Sequence, residues 1–82
     1  MQKDEGFKFI NLIDDLPPLI TRGNVAELLG IKLSAKTLAN LDSLGEGPSE
    51  RVKIGKEVAY PKRPLLIWMD KRTKFCRGGQ NV

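Results

Sequence analysis

Ser34-Ala35-Lys36-Thr37-Leu38-Ala39-Asn40-Leu41-Asp42-Ser43-Leu44, closed by Gly45-Glu46-Gly47-Pro48, reads as one short, capped, amphipathic helix. Ser34 supplies a hydroxyl that can accept an orphan backbone N–H of the first turn, and Gly45 supplies the left-handed conformation that ends a helix. Pro48 forbids continuation. At about 100° per residue, Leu38, Leu41 and Leu44 share one stripe with Thr37 at its side, while Lys36, Ala39, Asn40 and Ser43 gather on the opposite face. That face offers two long polar side chains one turn apart, Lys36 and Asn40. Beside them Ala39 and Ser43 are small enough to let another surface close on the backbone, so the face suits insertion into a groove.

Upstream, Leu19-Ile20-Thr21-Arg22-Gly23-Asn24-Val25-Ala26-Glu27-Leu28-Leu29-Gly30 predicts a first helix with Thr21 as N-cap and Gly30 as its stop. Ile20 before the cap and Val25 at the fourth helical position have the spacing of a hydrophobic staple, and Val25, Leu28 and Leu29 form the expected buried stripe. Only Ile31-Lys32-Leu33 separate Gly30 from Ser34. Two short helices joined by a tight glycine-containing connection, the second with a polar outer face, make a helix-turn-helix. Residues 1–18 form an N-terminal arm whose apolar middle, Phe7-Lys8-Phe9-Ile10-Asn11-Leu12-Ile13, suits either one helical turn or an edge strand, and Pro17-Pro18 marks its boundary. Two roles stay open for it, a cover for exposed core and a segment that binds a partner.

Downstream, Arg51-Val52-Lys53-Ile54-Gly55-Lys56-Glu57-Val58-Ala59-Tyr60 alternates as two strands about a glycine turn. Val52, Ile54, Val58 and Tyr60 all need one face, so parity favours a three-residue loop, Gly55-Lys56-Glu57, or a bulge nearby. The outward positions then carry Arg51, Lys53 and Lys56. A last helix is expected to start near Pro64 and to bury Leu65, Trp68 and Met69, with Trp68 as core. Residues 74–82 read as a disordered basic tail.

Eighty-two residues allow one modest core. With no His and a single Cys, Cys76, one chain can build neither a zinc site nor a disulfide, and Ser–His and Cys–His catalysis are excluded. No general acid, base or nucleophile constellation is present, so neither an enzyme nor a cofactor or small-molecule substrate is expected. No apolar run reaches the roughly 20 residues of a membrane span, and Met1-Gln2-Lys3-Asp4-Glu5-Gly6 lacks the pattern of a signal peptide. The expected location is the cytoplasm. Residues 1–50 carry 5 Lys and Arg against 8 Asp and Glu, a net of −3, whereas residues 51–82 carry 9 against 2, a net of +7. Such a one-sided basic footprint attracts a polyanion.

In the order helix, helix, Gly-x-Gly-Pro, basic hairpin, helix, residues 19–73 resemble the excisionase-type winged helix-turn-helix family, distant relatives of MerR-like regulators found in phages and integrated elements. The resemblance is carried by Ile20-Thr21-Arg22, Val25-Ala26-Glu27-Leu28-Leu29-Gly30, Ser34-Ala35-Lys36-Thr37-Leu38 and Gly45-Glu46-Gly47-Pro48. It continues through Lys53-Ile54-Gly55-Lys56 with Val58 and Tyr60, and ends on Leu65-Leu66 with Trp68. It implies a small α+β domain (helix-helix-β-hairpin-helix) with flexible termini that binds double-stranded DNA. By position, the second helix would enter the major groove through Ser34, Lys36, Thr37, Ala39 and Asn40, and the wing would meet the backbone through Arg51, Lys53 and Lys56. Arg22, Lys62 and Arg63 are further candidate phosphate contacts. The connection before Ser34 is about two residues longer than in the shortest relatives, and Ala39, Asn40 and Asp42 stand where that family often has Arg. The implied roles are an excision factor that helps an integrase or other recombinase, and a transcriptional regulator. Two alternatives stay open, a protein-interaction module with Asp42, Glu46, Glu50 and the arm as contacts, and an accessory DNA-binding subunit of a packaging or recombination complex. Because one copy makes few base contacts, several copies are expected side by side on direct repeats, with Phe7, Phe9 and Ile10 of the arm, or the tail, touching the neighbour.

Overall fold

The structure, a computed structural model, describes residues 8–73. Expectations for Phe7 and for the 74–82 tail with Cys76 lie outside the described residues. Along the chain run a 3-10 helix, η1 (Phe9–Asp15), a strand, β1 (Leu19–Thr21), and a 3-10 turn, η2 (Arg22–Asn24), which leads directly into α1 (Val25–Leu29). Then come α2 (Ala35–Ser43), β2 (Val52–Ile54), β3 (Glu57–Pro61) and α3 (Lys62–Arg72). The class is α+β, with a three-stranded antiparallel sheet in the order β1-β3-β2.

Both glycine stops form as the sequence indicates. Gly30 (φ 68°) closes α1 with its N–H on Glu27 O and that of Ile31 on Ala26 O. Gly45 (φ 75°) does the same after α2, where Gly45 N–H donates to Asp42 O and Glu46 N–H to Leu41 O. This paired pattern satisfies carbonyls that a helix end would otherwise orphan. Ser34 caps α2, its Oγ accepting from Thr37 N–H at 3.1 Å.

The first helix differs from its expectation. Helical conformation begins at Arg22, directly after Thr21 as expected, but Thr21 makes no capping side-chain hydrogen bond and Leu19–Thr21 is a strand. The β-branched pair Ile20-Thr21 favours extended backbone, and pairing Ile20 with Tyr60 of β3 buries both completely, to 1% and 0% exposure. α1 is then only five residues long, so its core face is Val25 and Leu29, one turn apart, and Leu28 points outward.

A second difference is the hairpin. Ile54 pairs with Glu57 across a two-residue loop, Gly55-Lys56, in place of the three-residue loop. Gly55 takes φ 61° whereas the φ of Lys56 is not positive, which is the requirement of a type II′ turn. Register is pinned by burial, and β2 is exposed along its length, so the turn wins over the apolar pattern. Val52 and Ile54 therefore lie on the face opposite Tyr60. In α2, Leu38 is fully buried, Leu41 half-buried and Leu44 exposed. α3 starts two residues ahead of Pro64, which still falls in the first turn, where its missing N–H costs nothing.

The core gathers Phe9, Ile20, Val25, Leu29, Leu38, Tyr60, Leu65, Leu66, Trp68 and Met69. Trp68 is core as expected, and its Nε1–H donates to Glu46 O at 2.9 Å, tying the loop after α2 to α3. The described part of the arm covers core as a 3-10 helix. Asp70 of α3 receives the Phe9 N–H at 2.6 Å and the Ile10 N–H at 3.0 Å, acting as a cap supplied from 60 residues away. Phe9 is buried and Ile10 half-buried against the chain's own core. Asp70→Ala is expected to cost about 2 kcal/mol through the loss of two charge-assisted bonds. Amide exchange would quicken in η1 before it does in β3. Unchanged exchange in η1 would contradict this role.

Candidate nucleic-acid interface

The Ser34 cap and the buried Leu38 fix how α2 is presented. Lys36, Asn40 and Ser43 are exposed on its outer side and Ala39 is half-buried between them. Ser34 Oγ also donates to Thr37 Oγ1 at 3.0 Å, so this pair of hydroxyls is turned toward each other before any ligand arrives. Of the hairpin cations, Lys53 lies within β2 and Lys56 sits at the turn, and both are exposed. Lys56 also lines an open cleft of about 370 Å³ with Thr21, Arg22, Gly23 and Asn24, so the hairpin tip stands beside η2.

What joins the helix to the hairpin is a polar knot beneath this surface. Asp42 is 9% exposed, and its Oδ2 accepts from Arg22 Nη2 at 2.6 Å and from Tyr60 Oη–H at 2.6 Å. Arg22 Nε–H donates to Tyr60 Oη at 3.1 Å. Arg51, just before β2, brings Nη1 to 3.9 Å from the other carboxylate oxygen, Oδ1, which has no hydrogen-bond partner among the described residues. One buried carboxylate on α2 thus gathers groups from η2, β3 and the entry to β2. Burial raises the Tyr60 phenol above its ordinary range, helped by its bond to Asp42 and opposed by Arg22. The Arg22 guanidinium is held charged, first by its bond to Tyr60 and then by Asp42, against the opposing effect of burial.

Gly47 belongs to the knot. A Cβ there would stand 2.0 Å from Asp42 Oδ1 and 3.1 Å from its Cγ, so only hydrogen fits. Because Arg22 and Tyr60 hold the carboxylate, it cannot swing aside without breaking both bonds. Gly47→Ala is expected to cost about 1 to 3 kcal/mol, as overpacking of a fitted interior does. Chemical denaturation would show this as a lower midpoint at unchanged slope, and an unchanged midpoint would contradict it.

The structure sorts the cations named from sequence. Lys36, Lys53, Lys56 and Arg63 are exposed, and Arg51 keeps 53% side-chain exposure. Arg22 is committed to Asp42 and Tyr60, and Lys62 Nζ donates to Leu16 O at 3.1 Å, so both serve internal contacts. Asp42, which the protein-interaction alternative takes as an outward contact, is buried at the centre of the knot. One signal could have found it, since Asp42 lies four residues from Leu38 and so on the same buried stripe. No helix among the described residues is long and apolar enough to cross a membrane. Compared with protein-family models, curated proteins and solved structures, the chain matches none.

Proposed function

We propose that the chain is a small winged helix-turn-helix protein that binds double-stranded DNA, with α2 in the major groove and the β2–β3 hairpin as the wing. The observation that carries this reading is the outer face of α2. Lys36 and Asn40 lie exposed one turn apart, and no side-chain hydrogen bond among the described residues engages either, while the opposite side of the helix is locked by Leu38 and Asp42. An Asn amide can bond adenine in both directions, and a Lys can donate to guanine or to phosphate. Arg51, Lys53 and Lys56 supply charge for the backbone, a contact that positions the protein and carries no sequence information directly. With the resemblance of residues 19–73, the role is that of an excision factor or transcriptional regulator, acting by occupying or bending DNA and by recruiting another protein such as a recombinase.

One observation favours a second reading, a protein-docking module on the same scaffold. Val52 and Ile54 are 37% and 54% exposed on a face of the hairpin that Leu19 shares. The two readings separate at Asn40. If α2 reads bases, Asn40→Ala costs roughly 1 to 3 kcal/mol on a selected site and much less on random duplex. Equal loss on both DNAs would show that α2 is not the reader.

A further inference from the structure

Among the exposed cations of the hairpin, Arg51 alone has a carboxylate behind it. Asp42 Oδ2 is fully used by Arg22 and Tyr60, whereas Oδ1 is buried without a hydrogen bond among the described residues, and Arg51 Nη1 stands 3.9 Å from it. The charge of Asp42 is already answered by Arg22 at 2.6 Å, so Arg51 is steered without being neutralised and the trio presents a net positive charge outward. A guanidinium is a planar fork of five donors, so one amino group directed inward leaves the Nε and Nη2 edge for a second partner. Lys53 and Lys56 have no such backing among the described residues.

We propose that Asp42 is a positioning residue for phosphate recognition, orienting Arg51 through the 3.9 Å ion pair with one amino group so that its remaining two-donor edge meets a backbone phosphate of the bound duplex. This rests on the DNA-binding reading above. The same carboxylate fastens α2 to β3 through Tyr60, so the reading helix and the arginine that sets its register on the backbone share one anchor. Arg is suited to this post because a bidentate fork adds geometry to charge, which the point charge of Lys does not.

The test compares duplex binding by the wild-type chain, Arg51→Ala, Arg51→Lys, Asp42→Asn and the Asp42→Asn/Arg51→Lys double variant over a range of salt. Arg51→Ala is expected to weaken binding roughly tenfold to a hundredfold, with a salt slope shallower by about 1. Arg51→Lys keeps the slope, because the charge remains, yet loses at least half of that effect on a logarithmic scale. Asp42→Asn weakens binding by the wild-type chain and adds nothing in the Arg51→Lys background. Wild-type affinity in Arg51→Lys would mean that charge alone suffices and would overturn the proposal while leaving DNA binding intact. An equal penalty from Asp42→Asn in both backgrounds would overturn it too, by assigning Asp42 to the fold only. If Asp42→Asn does not fold, the Arg51→Lys comparison decides alone, at an exposed position clear of the core. A wild-type chain that binds no duplex at low salt would remove the DNA reading and this proposal together.

Discussion

Asp42→Ala is expected to lower the stability of the folded chain by about 3 kcal/mol, the low end of the cost of breaking a buried ion pair, because the Arg22 side chain keeps 21% exposure and can recover some hydration. The substitution removes the acceptor of two 2.6 Å bonds at once and leaves the Tyr60 hydroxyl proton without that acceptor in a residue with no exposure, although Arg22 Nε–H can still donate to its oxygen. A domain of this size holds on the order of 4 to 12 kcal/mol in all, so the loss takes a large share of it. At roughly 4 to 8 °C per kcal/mol, the thermal midpoint should fall by about 12 to 24 °C. Asp15→Ala, at an exposed position, is the control and should move stability by less than about 0.5 kcal/mol. A fall no larger than the control's would mean that the knot does not hold α2 to the sheet.

The elements most legible in the sequence were those whose chemistry is local. Ser34, Gly30 and Gly45 each act through backbone groups within a few residues, and each sits where its cap or stop was expected. Trp68 at helical spacing among aliphatic residues was legible as core for the same reason. What escaped depends on partners distant in sequence. Leu19–Thr21 becomes a strand only because β3, some 40 residues later, offers an edge to pair with. The hairpin register is not legible from the apolar pattern, because Val52 and Ile54 lie exposed, where the turn decides. Of the candidate site, Lys36 and Asn40 followed from helical geometry alone, whereas the commitment of Arg22 to Asp42 and Tyr60 joins positions 20 and 38 residues apart and left no local mark. Asp70 as the cap of η1 is the same kind of long-range pairing.

The central claim is that this chain binds duplex DNA through α2 and the hairpin, and salt tests it with a large effect. Lys36 on α2 and Arg51, Lys53 and Lys56 at the hairpin are exposed cations of that surface, and Arg63 is exposed at the start of α3. Neutralising about 4 to 5 phosphates releases their condensed counterions, so the logarithm of affinity should fall against the logarithm of salt with a slope near −4. Between 50 and 200 mM salt that is roughly a 250-fold loss. The measurement is a salt titration of duplex binding by the full chain, and the account predicts that slope, with Lys53→Ala and Lys56→Ala each making it shallower by about 1. A slope indistinguishable from zero, or no duplex binding even at low salt, would contradict it.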